Sequence, residues 1–587
     1  MPPRRRLTVP IAVLLGAVVV VVVAVVAATA GGRRPLVSVY PLAGSRASLP
    51  QTQIAFRGVS ARRVKSIRVL GSHSGPHSGR LRPDSDGHGA SFVPAQPFRP
   101  GERVTVRTPL RIQGGRRGTY SFTIARPSPP IPAAPLPVLP APATATAQFQ
   151  SEPGLDPAAV TVDEDRAPAR EGDLFVAPQN GPVQDGPMIL GADGQLVWFK
   201  PFPVSSRTLV TDFRVQTYRG RRVLTWWQGH TNQGSGRGEG VILDDHYRQI
   251  ATVRAADGLA ADLHEFLITP GGDAYVTAFS PVSVPGVDKP VMDCVVQEID
   301  IRTGLVLFEW HALDHVPLKD SDFTPKSPGH IFDPYHINSI WPTRDGDLII
   351  SMRDTSAIYK VDRRTGRILW TLGGKASSFK MGPGTRTAMQ HDAILHGDGT
   401  LTIFDDGAGP PKVHNQSRGV RINLNTQRMT ATLIRQYDHD PRTLADFEGS
   451  VQLLQDGNLV IGWGQQPYVS EDSPSGRQIL AAHFTSPNST YRAYRSPWNA
   501  VPAGPPALQA TSGPTGTTVY TSWNGATGVT RWRVLGGPDA DHLRVLKVAP
   551  RTGFETEIGV PSEPFVRTQA LASSGKLLGS SPVTPVG

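Results

Sequence analysis

The sequence predicts an all-β protein: a six-bladed β-propeller flanked by two small β-sandwich domains, with an N-terminal transmembrane helix. A strand–turn–strand unit recurs along the middle of the chain, and its apolar residues alternate with polar ones at strand period. Glycine (60 residues) and proline (55 residues) are both frequent, as expected where tight turns join short strands. The chain has 587 residues, too many for one core, so several domains are expected.

The N-terminus combines three arginines at positions 4–6 with Leu7–Ala30, a run of 24 residues without a charge. A secretory apolar region has about 7–15 residues, whereas a membrane-spanning helix needs about 20. We therefore expect residues 1–31 to form a cytoplasmic tip and an uncleaved signal-anchor helix. The protein would then be a single-pass cell-membrane protein with the bulk of its chain extracytoplasmic. Ala28-Thr29-Ala30 resembles a signal-peptidase site, so a cleaved signal is the alternative.

Residues 36–126 contain short alternating runs separated by turn residues, which predicts a small β-sandwich. This stretch has fifteen lysines and arginines, and its only acidic residues are Asp84, Asp86 and Glu102. Its positive excess accounts for the formal net charge of +11 of the whole chain. Such a domain could lie against an anionic cell envelope. We do not expect nucleic-acid binding, because no recognition motif accompanies the charge.

Residues 127–147 predict a stiff, extended linker, since eight of the sixteen residues 127–142 are proline. The repeats then occupy residues 148–500. Four clear copies open near Asp262, Asp333, Gln390 and Gly449, and two earlier ones lie near Gly191 and Thr217. Six units of this length, built only of short strands, favour a six-bladed propeller.

Residues 507–587 follow a second proline-rich linker and alternate again at strand period, as in Thr517–Ser522 and Thr530–Val534. They predict a β-sandwich of the fibronectin type III kind. The chain has a single cysteine, Cys294, so it cannot form an intrachain disulfide. We expect this thiol to be buried.

Three of the four clear repeats begin with a histidine: His264, His336 and His391. The innermost strand of a propeller blade lines the central channel, so equivalent positions at the start of these strands should converge at one mouth. His336 and Asn338 share one face of their strand, and Arg353 returns on the next strand. Together these groups could hold an anion.

Several of these runs resemble the bacterial arylsulfotransferase family, most closely its membrane-anchored actinobacterial branch. The runs are Asp333-Pro334-Tyr335-His336-Ile337-Asn338, Arg353–Asp362 and Gln390-His391-Asp392-Ala393, together with His264. The resemblance covers roughly residues 150–500 and leaves out the two flanking sandwiches.

The resemblance implies an enzyme that moves a sulfuryl group from an aryl sulfate donor to a phenolic acceptor, without a nucleotide donor or any cofactor. By position, it implies that His391 is the nucleophile and becomes a sulfohistidine. It further implies that His336, Asn338 and Arg353 hold the sulfuryl oxygens, and that His264 is the remaining histidine of the ring.

The same chemistry follows from the residue types. A neutral imidazole can attack sulfur near pH 7, and guanidinium, imidazole and amide donors can meet the charged oxygens. A histidine could also carry the proton of the phenol. Tyr335, Trp227 and Trp463 are candidates to stack on the aryl ring, as is Trp226, although residues of these types are more often part of a core.

A metal site is the main rival for three histidines, with Asp262, Glu265, Asp333 and Asp392 as possible oxygen ligands. Glu265 and Asp392 directly follow their histidines, so on a strand they face the other way. Arg353 beside the cluster also opposes a dication. We therefore expect no metal.

Two classes of function stay open: a sulfotransferase, and a non-catalytic cell-surface propeller that binds a ligand. The histidines, Asn338 and Arg353 favour the enzyme, because a scaffold has no need of such groups at matched positions.

Overall fold

The computed structural model describes residues 36–134, 139–166, 172–324, 331–409 and 412–587. Nearly all their regular structure is strand, so the predicted all-β class is confirmed. The short helices are the α-helical turn Ala312–His315 and the 3₁₀ turns Ala61–Arg63, Ala143–Ala145, Val204–Ser206, Leu318–Asp320 and Arg353–Thr355. Among the described residues, no helix has the length and apolar character needed to span a bilayer. The predicted signal-anchor at Leu7–Ala30 lies outside these residues.

The first part of the described chain forms two facing sheets. The strands are β1 (Leu36–Tyr40), β2 (Ile54–Arg57), β3 (Arg68–Gly71), β4 (Gly75–His77), β5 (Gly79–Pro83), β6 (Gly89–Pro94), β7 (Arg103–Arg107), β8 (Arg111–Ile112) and β9 (Thr119–Thr123). One sheet has the order β5-β6-β2-β1-β8 and the other β4-β3-β7-β9. Alternation places Val104, Val106, Tyr120 and Phe122 inside and arginines outside, so one apolar core joins the sheets.

The middle of the chain folds into successive antiparallel units of four strands. In chain order their strands are β12 (Asp173–Gln179), β14 (Met188–Leu190) and β15 (Leu196–Phe199); β17 (Leu209–Tyr218), β18 (Arg221–Asn232), β19 (Ser235–Leu243) and β20 (Gln249–Val253); β21 (Ala261–Ile268), β22 (Asp273–Ser283), β23 (Val291–Asp300) and β24 (Val306–His311); β25 (Ile337–Pro342), β26 (Leu348–Met352), β27 (Ala357–Val361) and β28 (Ile368–Gly373); β30 (His391–Leu395), β31 (Thr400–Asp405), β32 (Arg418–Asn425) and β33 (Thr430–Asp438); and β34 (Ser450–Leu453), β35 (Leu459–Gly462), β36 (Tyr468–Asp472) and β37 (Gln478–Phe484). Shorter strands accompany them: β10 (Arg126–Pro127), β11 (Val160–Asp165), β13 (Gln184–Asp185), β16 (Phe202–Pro203) and β29 (Lys380–Met381).

The last strand of the region, β38 (Ser489–Ser496), completes the first unit. It pairs antiparallel with β12, with Arg495 opposite Leu174. The two ends of the repeat region therefore lie side by side, as the closure of a ring of units requires. The first strands of successive units contact one another in chain order from β17 to β34, and β38 contacts both β34 and β17. The units thus surround a common axis in a propeller-like arrangement.

Neighbouring units bury each other's faces. Every residue of β23 and β24 is buried, because each face of these strands is covered by an adjacent unit. Cys294 lies in this interior, as predicted, together with Trp310 and Phe308. Such packing yields nearly continuous apolar strands rather than strictly alternating ones.

The inner strands are irregular where they reach the axis. The pairing register shifts between Ala261 and Phe266, between Ile337 and Ser339, and between His391 and Ile394. His336, Asp392 and Glu448 have φ values of 53°, 51° and 71°, in the left-handed region. This conformation costs an L-residue roughly 1–2 kcal/mol. Bulges and strained residues of this kind re-aim side chains and are concentrated at functional sites.

The proline-rich segment after the first sandwich lies against the repeat region. Strand β10 pairs with β22, Arg126 opposite Ser283. Further on, the Ser128 N–H donates to Pro281 O at 2.8 Å, and Asn232 Nδ2 donates to Pro132 O at 2.7 Å. Proline lacks an N–H but keeps its carbonyl, so an extended proline-rich segment can still accept hydrogen bonds along a strand edge.

The C-terminal part is a second pair of sheets. Its strands are β39 (Ala507–Gly513), β40 (Gly516–Ser522), β41 (Arg531–Gly537), β42 (Arg544–Pro550), β43 (Glu555–Val560), β44 (Phe565–Leu571), β45 (Leu577–Ser580) and β46 (Thr584–Pro585). The sheets β39-β40-β43 and β42-β41-β44-β45 enclose a core around Trp532 and Val519. Asn524 docks this part on β15 by exchanging two hydrogen bonds with the Phe199 backbone, at 3.0 and 2.9 Å.

Candidate active site

Each of the three repeat histidines is held by a carboxylate at its Nδ1 atom. His336 Nδ1 lies 2.7 Å from Asp333 Oδ2, and His391 Nδ1 lies 2.8 Å from Asp406 Oδ2. His264 Nδ1 is bonded in the same way to Asp262. We call His264, His336 and His391 the histidine cluster. A carboxylate on Nδ1 fixes the ring's orientation and favours the tautomer in which Nε2 carries the lone pair.

His391 is nearly fully buried, with 2% of its surface exposed. Its Nε2 accepts a hydrogen bond from the backbone N–H of Glu448 at 3.2 Å, so Nε2 is unprotonated and Nδ1–H faces Asp406. Burial and the nearby charges of Arg353, His264 and His336 lower the pKa of His391 well below its usual value. The ring is therefore neutral at pH 7, as a nucleophile must be.

The other two histidines differ in charge. The His264 and His336 rings meet edge to face, with centroids 4.7 Å apart. Burial lowers the pKa of His264, although Asp262 opposes the shift. Burial would also lower the pKa of His336, but the Asp333 carboxylate outweighs it and raises that pKa. His336 is thus the member of the cluster best able to carry a positive charge.

Arg353 stands at the edge of the cluster. Its Nη1 donates to Asp354 Oδ1 at 2.7 Å and its Nη2 to Asp446 O at 3.1 Å, while the guanidinium lies over the ring of Phe323, 5.6 Å from its centroid. The Nε atom is buried and has no hydrogen-bond partner. An unused donor on a positioned guanidinium is a ready contact for an anionic oxygen.

Asn338 is fully buried between two units. Its Nδ2 donates to Gln390 O at 2.7 Å and leaves a second N–H on the same atom, while its buried Oδ1 has no partner. Gln390 Nε2 in turn donates to Met352 O at 3.1 Å and Ala357 O at 3.2 Å. These bonds tie the strand that carries His391 to the unit that carries His336.

Sequence reasoning missed Arg492, a fully buried residue of β38 below the cluster. Its guanidinium lies 3.0 Å from Asp212 Oδ1 and 3.3 Å from Glu265 Oε2, and it donates to Asn338 O at 2.7 Å. It also contributes to the low pKa of His391. No local sequence signal marks it, because it reaches the axis from the far end of the repeat region.

The three predicted aryl contacts are not in the cluster. Tyr335, Trp227 and Trp463 are fully buried in cores between units. Their polar atoms are used there: Tyr335 Oη donates to Val316 O at 2.8 Å, Trp227 Nε1 to Ala261 O at 3.0 Å, and Trp463 Nε1 to Ser470 Oγ at 3.0 Å. The same holds for Trp226, whose Nε1 donates to Gln228 Oε1 at 3.0 Å. The expectation of aryl stacking by these residues is therefore corrected.

An aromatic residue that was not predicted, Phe279, does contact the cluster. Its ring stacks on His264 with centroids 5.4 Å apart and lies 5.5 Å from the His336 ring. Phe279 also lines a cleft of about 260 Å³. The other walls include Ile131 and Pro132 of the proline-rich segment and Met292 of β23. A larger groove of about 870 Å³, around Arg222 and Trp498, shares no residue with this site.

The carboxylates that could bind a metal at this site already have other partners. Asp262 holds His264 and accepts from Gly236 N at 2.5 Å, Glu265 pairs with Arg492, and Asp392 accepts from Val451 N at 2.9 Å. Among the residues that the structure describes, one group of possible ligand atoms lies within 4.8 Å of one another: those of Asp333, His336 and Asp354. Arg353 is already bonded to Asp354 and opposes a dication there.

The fourth repeat places Glu448 beside the cluster. The repeat pattern had pointed to the next residue, Gly449, at this position. Its carboxylate accepts from Gln179 Nε2, 3.0 Å from each oxygen. Burial raises the pKa of Glu448 to about 7, and the Gln179 hydrogen bonds oppose the shift. The next unit thus places a titratable residue beside the cluster, with its backbone N–H on His391.

A segment in the middle of the chain matches a known protein family. Residues 214–485 match the model of a family described as arylsulfotransferase (ASST), which confirms the predicted resemblance over that segment and implies a sulfotransferase. All five predicted catalytic residues lie within the matched segment. The membrane-anchored actinobacterial branch stays a prediction. No curated protein matches the chain.

Solved structures similar to the chain share little of its sequence. A protein of unknown function from Bacteroides caccae is 14% identical, with a TM-score of 0.35, over 56% of this chain and 99% of its own. Virginiamycin B lyase from Staphylococcus aureus is 10% identical, with a TM-score of 0.28, over 62% of this chain and 97% of its own. The GH43 protein BlXynB from Bacillus licheniformis is 9% identical, with a TM-score of 0.28, over 64% and 88%.

Proposed function

We propose, on the premise of the family match over residues 214–485, that this chain transfers a sulfuryl group from an aryl sulfate ester to a phenol. The transfer runs through a covalent intermediate on His391, in a six-bladed propeller. The observation that carries the proposal is the state of His391: a neutral ring, oriented by Asp406, whose Nε2 carries the lone pair and accepts from the Glu448 N–H.

In the first half-reaction the Nε2 lone pair of His391 forms a bond to sulfur, and the bond from sulfur to the aryl oxygen breaks. The aryl oxygen leaves as a phenoxide, which takes up a proton, and a sulfohistidine remains. In the second half-reaction an acceptor phenol gives up a proton, its oxygen bonds to sulfur and the nitrogen–sulfur bond breaks. This returns His391 to its starting state, so no nucleotide or other cofactor is consumed.

The transferring group carries negative charge on three oxygens, and in this proposal three residues meet it. Arg353 offers its free Nε–H and a permanent charge, and His336 offers an imidazolium favoured by Asp333. Asn338 contributes the second N–H of its amide. Donors fixed before reaction in a buried site stabilise developing charge without reorganisation. His264, neutral and packed against His336, completes the wall of the site.

We place the aryl group beside Phe279, in the cleft that the proline-rich segment helps to form. The cleft volume of about 260 Å³ suits a single small aromatic ring. Phe279 already makes ring contacts with His264 and His336, so an aryl group on its other face would lie close to the cluster.

A non-catalytic binding module is the second candidate. It would use the same cationic groups to hold a sulfated or otherwise anionic ligand. The strained backbone at His336 and the oriented, neutral His391 favour the enzyme, because ligand binding alone needs neither.

The test is incubation with 4-nitrophenyl sulfate and phenol. We expect 4-nitrophenol release that depends on added phenol, with one phenyl sulfate formed per 4-nitrophenol. His391→Ala serves as the inactive control. Binding of the ester without release, in a folded and monodisperse protein, would favour the binding module.

A further inference from the structure

Glu448 lies beside the histidine cluster, and the proposed function gives it no part in the reaction. Its own backbone N–H touches Nε2 of His391, the atom that attacks sulfur in the proposed function. The residue stands two positions before β34, whereas His336 stands one position before β25 and His391 is the first residue of β30. The fourth repeat therefore supplies a carboxyl group close to the position where these two units supply imidazoles.

The backbone is held in an unfavourable conformation at this point. Glu448 has φ of 71° and Gly449 has φ of 108°, so two successive residues lie in regions that L side chains rarely adopt. A glycine at 448 would relieve that constraint, yet the chain has a glutamate there. The conformation directs the Glu448 N–H at His391.

The carboxyl group is half-buried and has no cationic partner in the described part of the chain: its hydrogen-bond donor is the amide of Gln179. Three titratable groups lie near Glu448. Its negative charge raises the pKa of Asp406 and of Tyr491, and its backbone N–H contacts the neutral ring of His391. A carboxyl group used for structure is normally paired with a base or with several N–H groups. This one is left able to gain and lose a proton near neutral pH, with a pKa of about 7.

We propose that the Glu448 carboxyl group carries the phenol proton in both half-reactions. As an acid it gives its proton to the aryl oxygen as the sulfur–oxygen bond breaks. As a base it takes the proton of the acceptor phenol as the new sulfur–oxygen bond forms. Each turnover returns Glu448 and His391 to their starting states. The inference rests on the proposed function and assigns its proton transfer, leaving His336 to stabilise charge.

The test is Glu448→Gln, which keeps the shape and the contact with Gln179 but cannot exchange a proton. A weakly acidic phenol needs help in losing its proton, whereas 4-nitrophenol departs readily as its anion. With 4-nitrophenyl sulfate as donor, we therefore expect the variant to label His391 at nearly the normal rate. Transfer from the labelled enzyme to weakly acidic phenols should fall about 10²-fold or more, with a much smaller loss for acidic phenols. Glu557→Gln, an exposed carboxylate on β43, is the matched control and should change neither rate.

A second variant tests the same point without touching the carboxyl group. The Gln179 hydrogen bonds lower the pKa of Glu448, so Gln179→Ala should raise it and move the pH profile for transfer to weakly acidic phenols toward higher pH. An equal loss for all phenols in Glu448→Gln, or an unmoved profile in Gln179→Ala, would overturn the assignment. Failure of the wild-type protein to label His391 would instead reject the proposed function itself.

Discussion

His391 Nδ1 lies 2.8 Å from Oδ2 of Asp406, a carboxylate with no exposed surface at the end of the neighbouring strand β31. The other ring nitrogen accepts from the Glu448 backbone, so the two contacts together specify one tautomer of the imidazole. Burial raises the pKa of Asp406 and lowers that of His391, so both shifts disfavour a charged histidine. The pair therefore keeps a lone pair rather than a proton on Nε2.

This relationship predicts the effect of Asp406→Asn. An amide can offer its NH₂ group to Nδ1, which would move the ring proton to Nε2 and remove the attacking lone pair. We expect the single-turnover burst of 4-nitrophenol to slow by roughly 10²–10⁴-fold while the protein stays folded. Asp398→Asn, on an exposed turn of the same unit, is the control. A normal burst in Asp406→Asn would show that the carboxylate does not set the tautomer.

Arg353→Ala should leave the nucleophile intact but remove the main charge that meets the sulfuryl oxygens. We expect labelling of His391 to persist and to slow by about 10²–10³-fold. Arg353→Lys keeps the charge but loses the planar fork, so it should recover only part of the rate. Stopped-flow measurement of 4-nitrophenol release gives both values. A rate unaffected by Arg353→Ala would remove this residue from the site.

The charge on His336 predicts a pH dependence of substrate binding. Asp333 raises the pKa of His336, so the imidazolium is present below the raised value and is lost as pH rises through it. The KM for an aryl sulfate should therefore increase on the alkaline side. His336→Gln should have a higher KM at neutral pH and lack that increase. An alkaline rise that survives in His336→Gln would assign it to another group.

The buried aromatics predict a loss of stability without a loss of specificity. Trp463→Phe leaves Ser470 without its indole partner in a closed core. We expect the free energy of unfolding to fall by about 1–3 kcal/mol, from the lost bond and the reduced packing. Denaturant titration measures this, and kcat/KM per active site for a series of aryl sulfates should be little changed. A change in aryl preference would return Trp463 to the substrate site.

The repeat pattern predicted much of the site because equivalent positions in successive units converge. Strand period and turn residues were enough to predict that His264, His336 and His391 lie close together. The repeat pattern could not predict hydrogen-bond partners that depend on how the strands turn at their ends. Asp406 follows His391 by fifteen residues and reaches it only because β30 and β31 pair.

The predicted aryl contacts differ from the structure for another reason. A strand that is covered on both faces gives no sequence signal for which face meets the channel, so tryptophans of the inter-unit cores looked like possible ligand contacts. Arg492 and Glu448 were missed because neither stands in a motif. Their significance follows from the closure of the ring by β38 and from the backbone strain before β34. The signal-anchor, the domain limits and the envelope-binding role of residues 36–126 stay predictions.

The most direct test of the account is the mass of the peptide that contains His391 after brief incubation with 4-nitrophenyl sulfate. We expect this peptide to gain one sulfuryl group, to keep it in the absence of acceptor, and to lose it when phenol is added. His391→Ala should abolish both the label and turnover. Full transfer activity in His391→Ala, or a label on another residue that phenol discharges at the turnover rate, would contradict the covalent mechanism proposed for His391.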